Sequence, residues 1–214
     1  MNLKNVINDE RNLPLYTSVI VKGSLDIVLT EGNVGKVKVS ALESNLPYVL
    51  TEVSEGVLSV TLDEAHPPKD PEKVVVSVPV DGFFKGVSLV GTGEISTETT
   101  LATDRLEVSL AETGDINLSV NVESLSVRLE GEGDIRLKGE AKNFTAVLNG
   151  SGDVKAEALK AQDATLLLDG SGDISAYVTH RVEATLNGKG DIKVNGNPQE
   201  RNVNKHGKGD IKIK

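Results

Sequence analysis

The chain has 214 residues, a formal charge of -9 and no cysteine. It is therefore one elongated domain or two small ones, without disulfides, thiol catalysis, Cys-ligated zinc or iron–sulfur clusters. Apolar residues make up 38% and aromatic residues only 3%, so Val, Ile, Leu and Ala must fill the core, while the acidic balance and the shortage of stacking rings exclude nucleic acid as a partner.

Residues 1–12 are polar and mixed and read as an N-terminal extension, with no apolar stretch of the signal-peptide kind. No segment of the chain approaches the roughly eighteen apolar residues of a membrane helix. Alternating apolar residues then predict strands at Tyr16 to Lys22, Leu25 to Thr30, Lys36 to Ala41, Tyr48 to Val53, Val57 to Leu62 and Val74 to Val80. The proline-rich stretch from His66 to Pro71 reads as a surface loop. Residues 13–86 read as an irregular, capping part of one solenoid, since terminal repeats are commonly atypical. A separate small β-domain is the alternative.

Residues 87–214 carry a repeat. A Gly-x-Gly-Asp-Ile type turn recurs at 91–95, 112–116, 131–135, 150–154, 170–174, 188–192 and 207–211, with its second glycine at 93, 114, 133, 152, 172, 190 and 209. The first copy has Glu94 in place of aspartate, and the second has Glu112 in place of the first glycine. Gly23-Ser24-Leu25-Asp26-Ile27 looks like a degenerate earlier copy. Each turn is flanked by period-two alternation, as in Leu125, Val127 and Leu129 before it and Ile135 and Leu137 after it. Each repeat thus reads as strand, tight turn, strand and variable connection.

Glycine at this density rules out helix, costing about 1 kcal/mol at each interior position. A propeller needs about forty residues per blade. A hairpin meander does not explain a fixed period near nineteen. The remaining fold is a right-handed parallel β-helix of seven regular rungs, spanning roughly 30 Å at the interstrand spacing. Stacking predicts two inward columns. One is Ile95, Ile116, Ile135, Val154, Ile174, Ile192 and Ile211, and the other is Leu89, Leu110, Leu129, Leu148, Leu168 and Leu186, ending at Lys205.

The same stacking aligns Glu94, Asp115, Asp134, Asp153, Asp173, Asp191 and Asp210. Like charges that close repel, so something must offset them. One reading is that each carboxylate caps backbone N–H groups in its own turn. The other is calcium held between rungs by oxygen ligands. The turn glycines read as positions needing positive φ, since no helix or Lys-Ser/Thr ending follows to make a phosphate loop. His66, His180 and His206 form no metal-binding pair, and His180 reads as a solvated residue of a connection. Val147 and Leu167 fall on outward positions of adjacent rungs. They are expected either under a connecting loop or on a face for a partner or a second copy.

The recurring turn and the leading segment Val19 to Gly32 together resemble the putative auto-transporter adhesin, head GIN domain family. The resemblance covers about residues 13 to 214. It implies a β-helix exported from the cytoplasm of bacteria, especially Bacteroidetes, and often anchored as a lipoprotein. It defines no catalytic motif and brings no site residue with it. The expectation for function is a non-enzymatic binding or adhesion module that contacts a surface protein or glycan through repeated side chains. It would lie in the periplasm, on the outer membrane or at the cell surface. The alternatives are an envelope-scaffolding protein and a carbohydrate-active enzyme built on a β-helix.

Overall fold

Period-two alternation becomes strand along nearly the whole chain. The computed structural model describes residues 6–63, 65 and 74–214, so the predicted loop from His66 to Pro71 lies outside the described residues. The first strands are β1 (Val6–Asn12), β2 (Ser18–Lys22), β3 (Asp26–Glu31), β4 (Lys36–Leu42), β5 (Val49–Ser54), β6 (Val57–Leu62) and β7 (Val75–Val80), with one 3-10 turn at Leu46–Tyr48. Then follow β8 (Gly86–Gly91), β9 (Glu94–Thr97), β10 (Leu101–Glu112), β11 (Asp115–Leu129), β12 (Ile135–Leu148), β13 (Val154–Leu168) and β14 (Ile174–Leu186). The last three are β15 (Ile192–Asn195), β16 (Glu200–Lys205) and β17 (Ile211–Ile213). All belong to one 17-stranded sheet, wound as a β-solenoid of about seven turns with rungs of about 19 residues. Among the described residues no helix is long and apolar enough to cross a membrane.

The two predicted inward columns form. Ile116 lies between Ile95 and Ile135, and the ladder continues through Val154, Ile174 and Ile192 to Ile211. Leu89, Leu110, Leu129, Leu148, Leu168 and Leu186 stack in the same way, with Lys205 closing the column. These leucines are fully buried, each contributing roughly 1.5–3 kcal/mol relative to exposure.

The connection between rungs differs from the expected loop. Strands β11 to β14 run unbroken from one Gly-x-Gly-Asp turn to the next, so the connection is a corner inside a strand. Variation in rung length is taken up there by register shifts, between Arg136 and Lys138 against β13 and between Ala156 and Lys160 against β14. A bulge absorbs one residue without disturbing the turn face on either side.

The N-terminal third is interleaved. β2 pairs in parallel with both β6 and β8, and β3 with both β7 and β9. The first rung of the chain is thus sandwiched between two later ones. Beyond β6 and β7 the pairing turns antiparallel, with β5 on β6, β4 on β7 and β1 on β4. Residues 6–12, expected as an extension, therefore form an edge strand. Its mostly polar side chains are compatible with that place because the strand is held by backbone pairing and by Arg11. That guanidinium meets Asp9 at 2.7 Å and donates to the Thr51 hydroxyl at 3.1 Å and the Leu46 carbonyl at 3.1 Å. The buried Tyr16 hydroxyl donates to the Pro79 carbonyl at 2.7 Å.

Candidate functional site

The aspartate column exists, but its carboxylates do not cap their own turns. Each Oδ1 accepts the backbone N–H of the aspartate one rung further on. The distances are 3.0 Å from Asp115 to Asp134, 3.1 Å from Asp134 to Asp153, 2.9 Å from Asp153 to Asp173, 2.8 Å from Asp173 to Asp191 and 2.8 Å from Asp191 to Asp210. Stacking rungs bring the next N–H directly over the carboxylate, which makes the inter-rung bond the shorter reach. Asp26 opens the series by accepting the N–H of Glu94 at 3.0 Å. The longer Glu94 carboxylate swings outward to the Asn117 amide at 2.8 Å, so the Asp115 N–H turns instead to the Gly93 carbonyl at 3.0 Å.

A second column two residues on neutralises the first. Lys155 Nζ lies 2.6 Å from Asp134 Oδ2 and 3.3 Å from Asp153 Oδ2. Arg136 meets Asp134 at 2.6 Å, Lys193 meets Asp173 at 2.7 Å, and Lys212 sits 3.8 Å from both Asp191 and Asp210. Desolvation pushes the Asp134 carboxyl up, but the Lys155 hydrogen bond, the Asp153 N–H and the charges of Lys155 and Arg136 together hold it below the ordinary value. Asp173 is lowered in the same way, its desolvation outweighed by Lys193, the Asp191 N–H and Lys212. Asp210 is lowered by its hydrogen bond from Lys205. The hydrogen bonds to Asp134 and Asp173 raise Lys155 and Lys193. Both oxygens of Asp134 and Asp173 are engaged by protein donors. Among the described residues no cluster of His, Asp and Glu is placed to hold a metal ion.

The turn glycines also serve a different purpose from the expected one. Of those in the seven regular turns, Gly91 alone lies at positive φ. The others face close approach, as a Cβ at Gly152 would run into the carbonyl oxygen of Gly133 directly beneath it. Glu112, in the first-glycine position of the second copy, is held at φ 78.

Val147 and Leu167 are register partners on the outer face, and both are half-buried. His180 is not in a connecting loop. It lies within β14, half-exposed, with Nδ1 2.7 Å from Asp163 Oδ1.

A further concavity lies outside the residues singled out from the sequence. A groove of about 670 Å³ runs across the corner of β10 to β14. One wall is the outward column Ala102, Asn121, Glu140 and Lys160, which are register partners in turn. The other wall carries Asp104, Glu123, Lys142 and Gln162, each two residues further along its strand. Between the walls lie Thr103 and the buried Val122 and Ala141, and Thr179 closes the far end. The groove's five charged side chains are exposed. Among the described residues none of them makes a side-chain hydrogen bond or ion pair, unlike the matched turn face. The groove can therefore take a long polar ligand lying along the solenoid axis. The 19-residue spacing of Asp104, Glu123 and Lys142 was the signal available in the sequence.

Known proteins resemble this chain along its length. A crystal structure of a "putative adhesin" from Bacteroides fragilis superposes with a TM-score of 0.89 at 24% identity, covering 99% of this chain and 98% of that one. A "putative adhesin" from Parabacteroides merdae gives 0.77 at 18% identity, over 98% and 97% of the two chains. A "putative lipid binding protein" from Parabacteroides distasonis gives 0.71 at 20% identity, over 98% and 97%. At these identities the likeness shows the fold. No curated protein matches by sequence. The sequence profile described as "Putative auto-transporter adhesin, head GIN domain" matches residues 15–198, and the chain belongs to that family.

Proposed function

We propose that this chain is a non-enzymatic, exported binding module that contacts a surface protein or glycan along its axis. The observation that carries the reading is the groove, to which β10 to β13 each contribute two or three outward or floor residues. A surface assembled rung by rung suits an extended ligand, whereas catalysis needs side chains converging on one reacting atom. The family description supports adhesion, and with it a place in the periplasm, on the outer membrane or at the cell surface. Fold alone would not carry this function.

The test is a screen of immobilised glycans and purified extracellular proteins against the wild-type chain and an Asp104→Asn/Glu123→Gln/Lys142→Gln/Lys160→Gln variant. Retention by the wild type and loss in the variant are expected. Equal retention of both, or turnover of an acidic polysaccharide, would overturn the reading. A second reading, an envelope-scaffolding protein that contacts itself or a partner, is favoured by the stacked, half-buried Val147 and Leu167. Changing both to Ser and finding the same mass by sedimentation would remove that support.

A further inference from the structure

The charges in the groove are not evenly mixed. Asp104 and Glu123 lie at the β10–β11 end, with Glu140 next on β12. Lys142 and Lys160 lie at the β12–β13 end. The register of β10 on β11 sets Thr103 opposite Val122 and Arg105 opposite Ser124, so Asp104 and Glu123 are direct cross-strand neighbours. Like charges directly opposite each other destabilise a sheet. On the turn face the same problem is solved internally, by Lys155 between Asp134 and Asp153. In the groove no cation of the described residues sits between Asp104 and Glu123. By the same register Lys142 lies opposite Glu123 and Lys160 opposite Glu140, but among the described residues neither ammonium closes an ion pair with its carboxylate.

From this arrangement we infer that the groove binds an extended peptide strand carrying one basic and one acidic side chain, three or four residues apart. The inference rests on the reading of the groove as the binding surface and names the ligand's chemistry. The basic side chain lies between Asp104 and Glu123. The acidic one lies between Lys142 and Lys160. From Glu123 to Lys160 is two strand steps, and from Asp104 three, or roughly 10 to 14 Å at the interstrand spacing. An extended peptide rises about 3.4 Å per residue, so separations of three and four residues span the same range. The floor is small and apolar, made by Val122 and Ala141 with Ala102 in the wall beside it, and it fits the narrow backbone and short side chains between the two charges. The amides of Asn121 and Gln162 and the hydroxyl of Thr179 offer donors and acceptors to that backbone. No aromatic ring lines the groove to stack on a sugar face, which favours peptide over glycan.

The experiment is fluorescence anisotropy on the whole chain with labelled Ala/Thr peptides. One set carries a lysine and a glutamate three or four positions apart, one carries two lysines, one carries two glutamates, and an oligomer of uronic acids serves as the polyanion control. The mixed-charge peptides are expected to bind at least tenfold more tightly than either single-sign peptide, and to weaken about tenfold from low to high salt. Asp104→Asn/Glu123→Gln and Lys142→Gln/Lys160→Gln should each remove the preference for mixed charge. Equal binding of all the peptides, or of none, overturns the inference. So does tighter binding of the uronic-acid oligomer that responds only to Lys142→Gln/Lys160→Gln. If the four-residue groove variant still loses a target in the screen described above, the binding-surface reading stands and only the peptide assignment falls.

Discussion

The carboxylate of Asp134 accepts the backbone N–H of Asp153, one rung further on, at 3.1 Å, while its other oxygen takes the Lys155 ammonium at 2.6 Å. One side chain thus joins two rungs through the backbone and through charge. Asp134→Ala removes both bonds together with the Arg136 contact at 2.6 Å, and leaves a part-buried N–H without its acceptor. Charge-assisted hydrogen bonds contribute roughly 1.5–3 kcal/mol, and partial exposure places this one toward the lower end. Thermal unfolding followed by circular dichroism should fall by about 4–8 °C. Asp134→Asn keeps the acceptor and loses the charge, so it should fall about half as far. An alanine variant as stable as the wild type would show that the ladder holds nothing together.

Stability should have a flat middle and two falling limbs with pH. The Asp134 and Asp173 carboxyls lie below the ordinary 3.8 in the folded chain, so their contribution is present above about pH 4 and is lost as pH falls through the lowered values. Lys155 and Lys193 lie above the ordinary 10.5, so their contribution is complete below that value and is lost as pH rises through the raised ones. Burial pushes the Tyr16 hydroxyl from 10.0 up to about 12, and the unfolded chain therefore gives up that proton first between the two values. Tyr16→Phe should cost about 1 kcal/mol at neutral pH and make the alkaline limb shallower. An unchanged alkaline limb in that variant would contradict the assignment.

Gly152→Ala should be severe, by about 3 kcal/mol or more, because the new methyl meets the backbone of the rung below and backbone cannot rotate away. Gly32→Ala is the control. Its Cβ would meet nothing nearer than the Pro79 ring at 3.6 Å, and a change within about 1 kcal/mol is expected. Urea unfolding of the two proteins decides it, and equal midpoints would contradict the close-stacking account.

Glu112→Gly should stabilise the chain. Glu112 is a non-glycine residue at φ 78, a conformation that costs roughly 1–2 kcal/mol, offset in part by the greater unfolded-state freedom of glycine. A rise in the midpoint of about 2–4 °C is expected. A fall would mean that the Glu112 side chain supports the turn in some other way.

Millimolar calcium should leave the unfolding midpoint where a chelator leaves it, because the Asp134 and Asp173 oxygens are already engaged by N–H and ammonium groups. A ligand bound only by the folded chain must raise the midpoint. A clear rise with calcium would reassign the aspartate column to metal binding.

The inward columns were legible because burial imposes one residue type at one phase of the period, as with Leu110, Leu129 and Leu148. The strands β2 to β7 were legible to within two residues for the same reason, whereas the mixed, largely polar β1 was not. The partners of the aspartates were not. Sequence gives the acceptor, while the nearest donor depends on how rungs stack, and only the backbone of Asp153 over Asp134 reveals it. Glycine was misread similarly, since close approach and positive φ demand the same residue. The pairing of His180 with Asp163 depends on a corner that lies inside β14, where a loop was expected. The groove escaped notice because period-two alternation reports only what faces inward.

The sandwiched first rung has a consequence for a chain made from its N-terminus. Val19 finds its partners at Leu58 and Val87, and Ile27 at Val76 and Ile95. In the regular part a residue waits only about one rung for its neighbour. Closing a span of 68 residues rather than 19 costs about 1 kcal/mol more in chain entropy. The larger effect is timing. β2 and β3 emerge early, and although β6 and β7 can cover one edge of each, the other edge stays open until β8 and β9 are complete at Thr97. These are apolar strands with unpaired backbone, the kind that joins other chains. A segment made early is thus among the last to be sheltered on both sides, and during synthesis or export its open edge is where a chaperone is needed most.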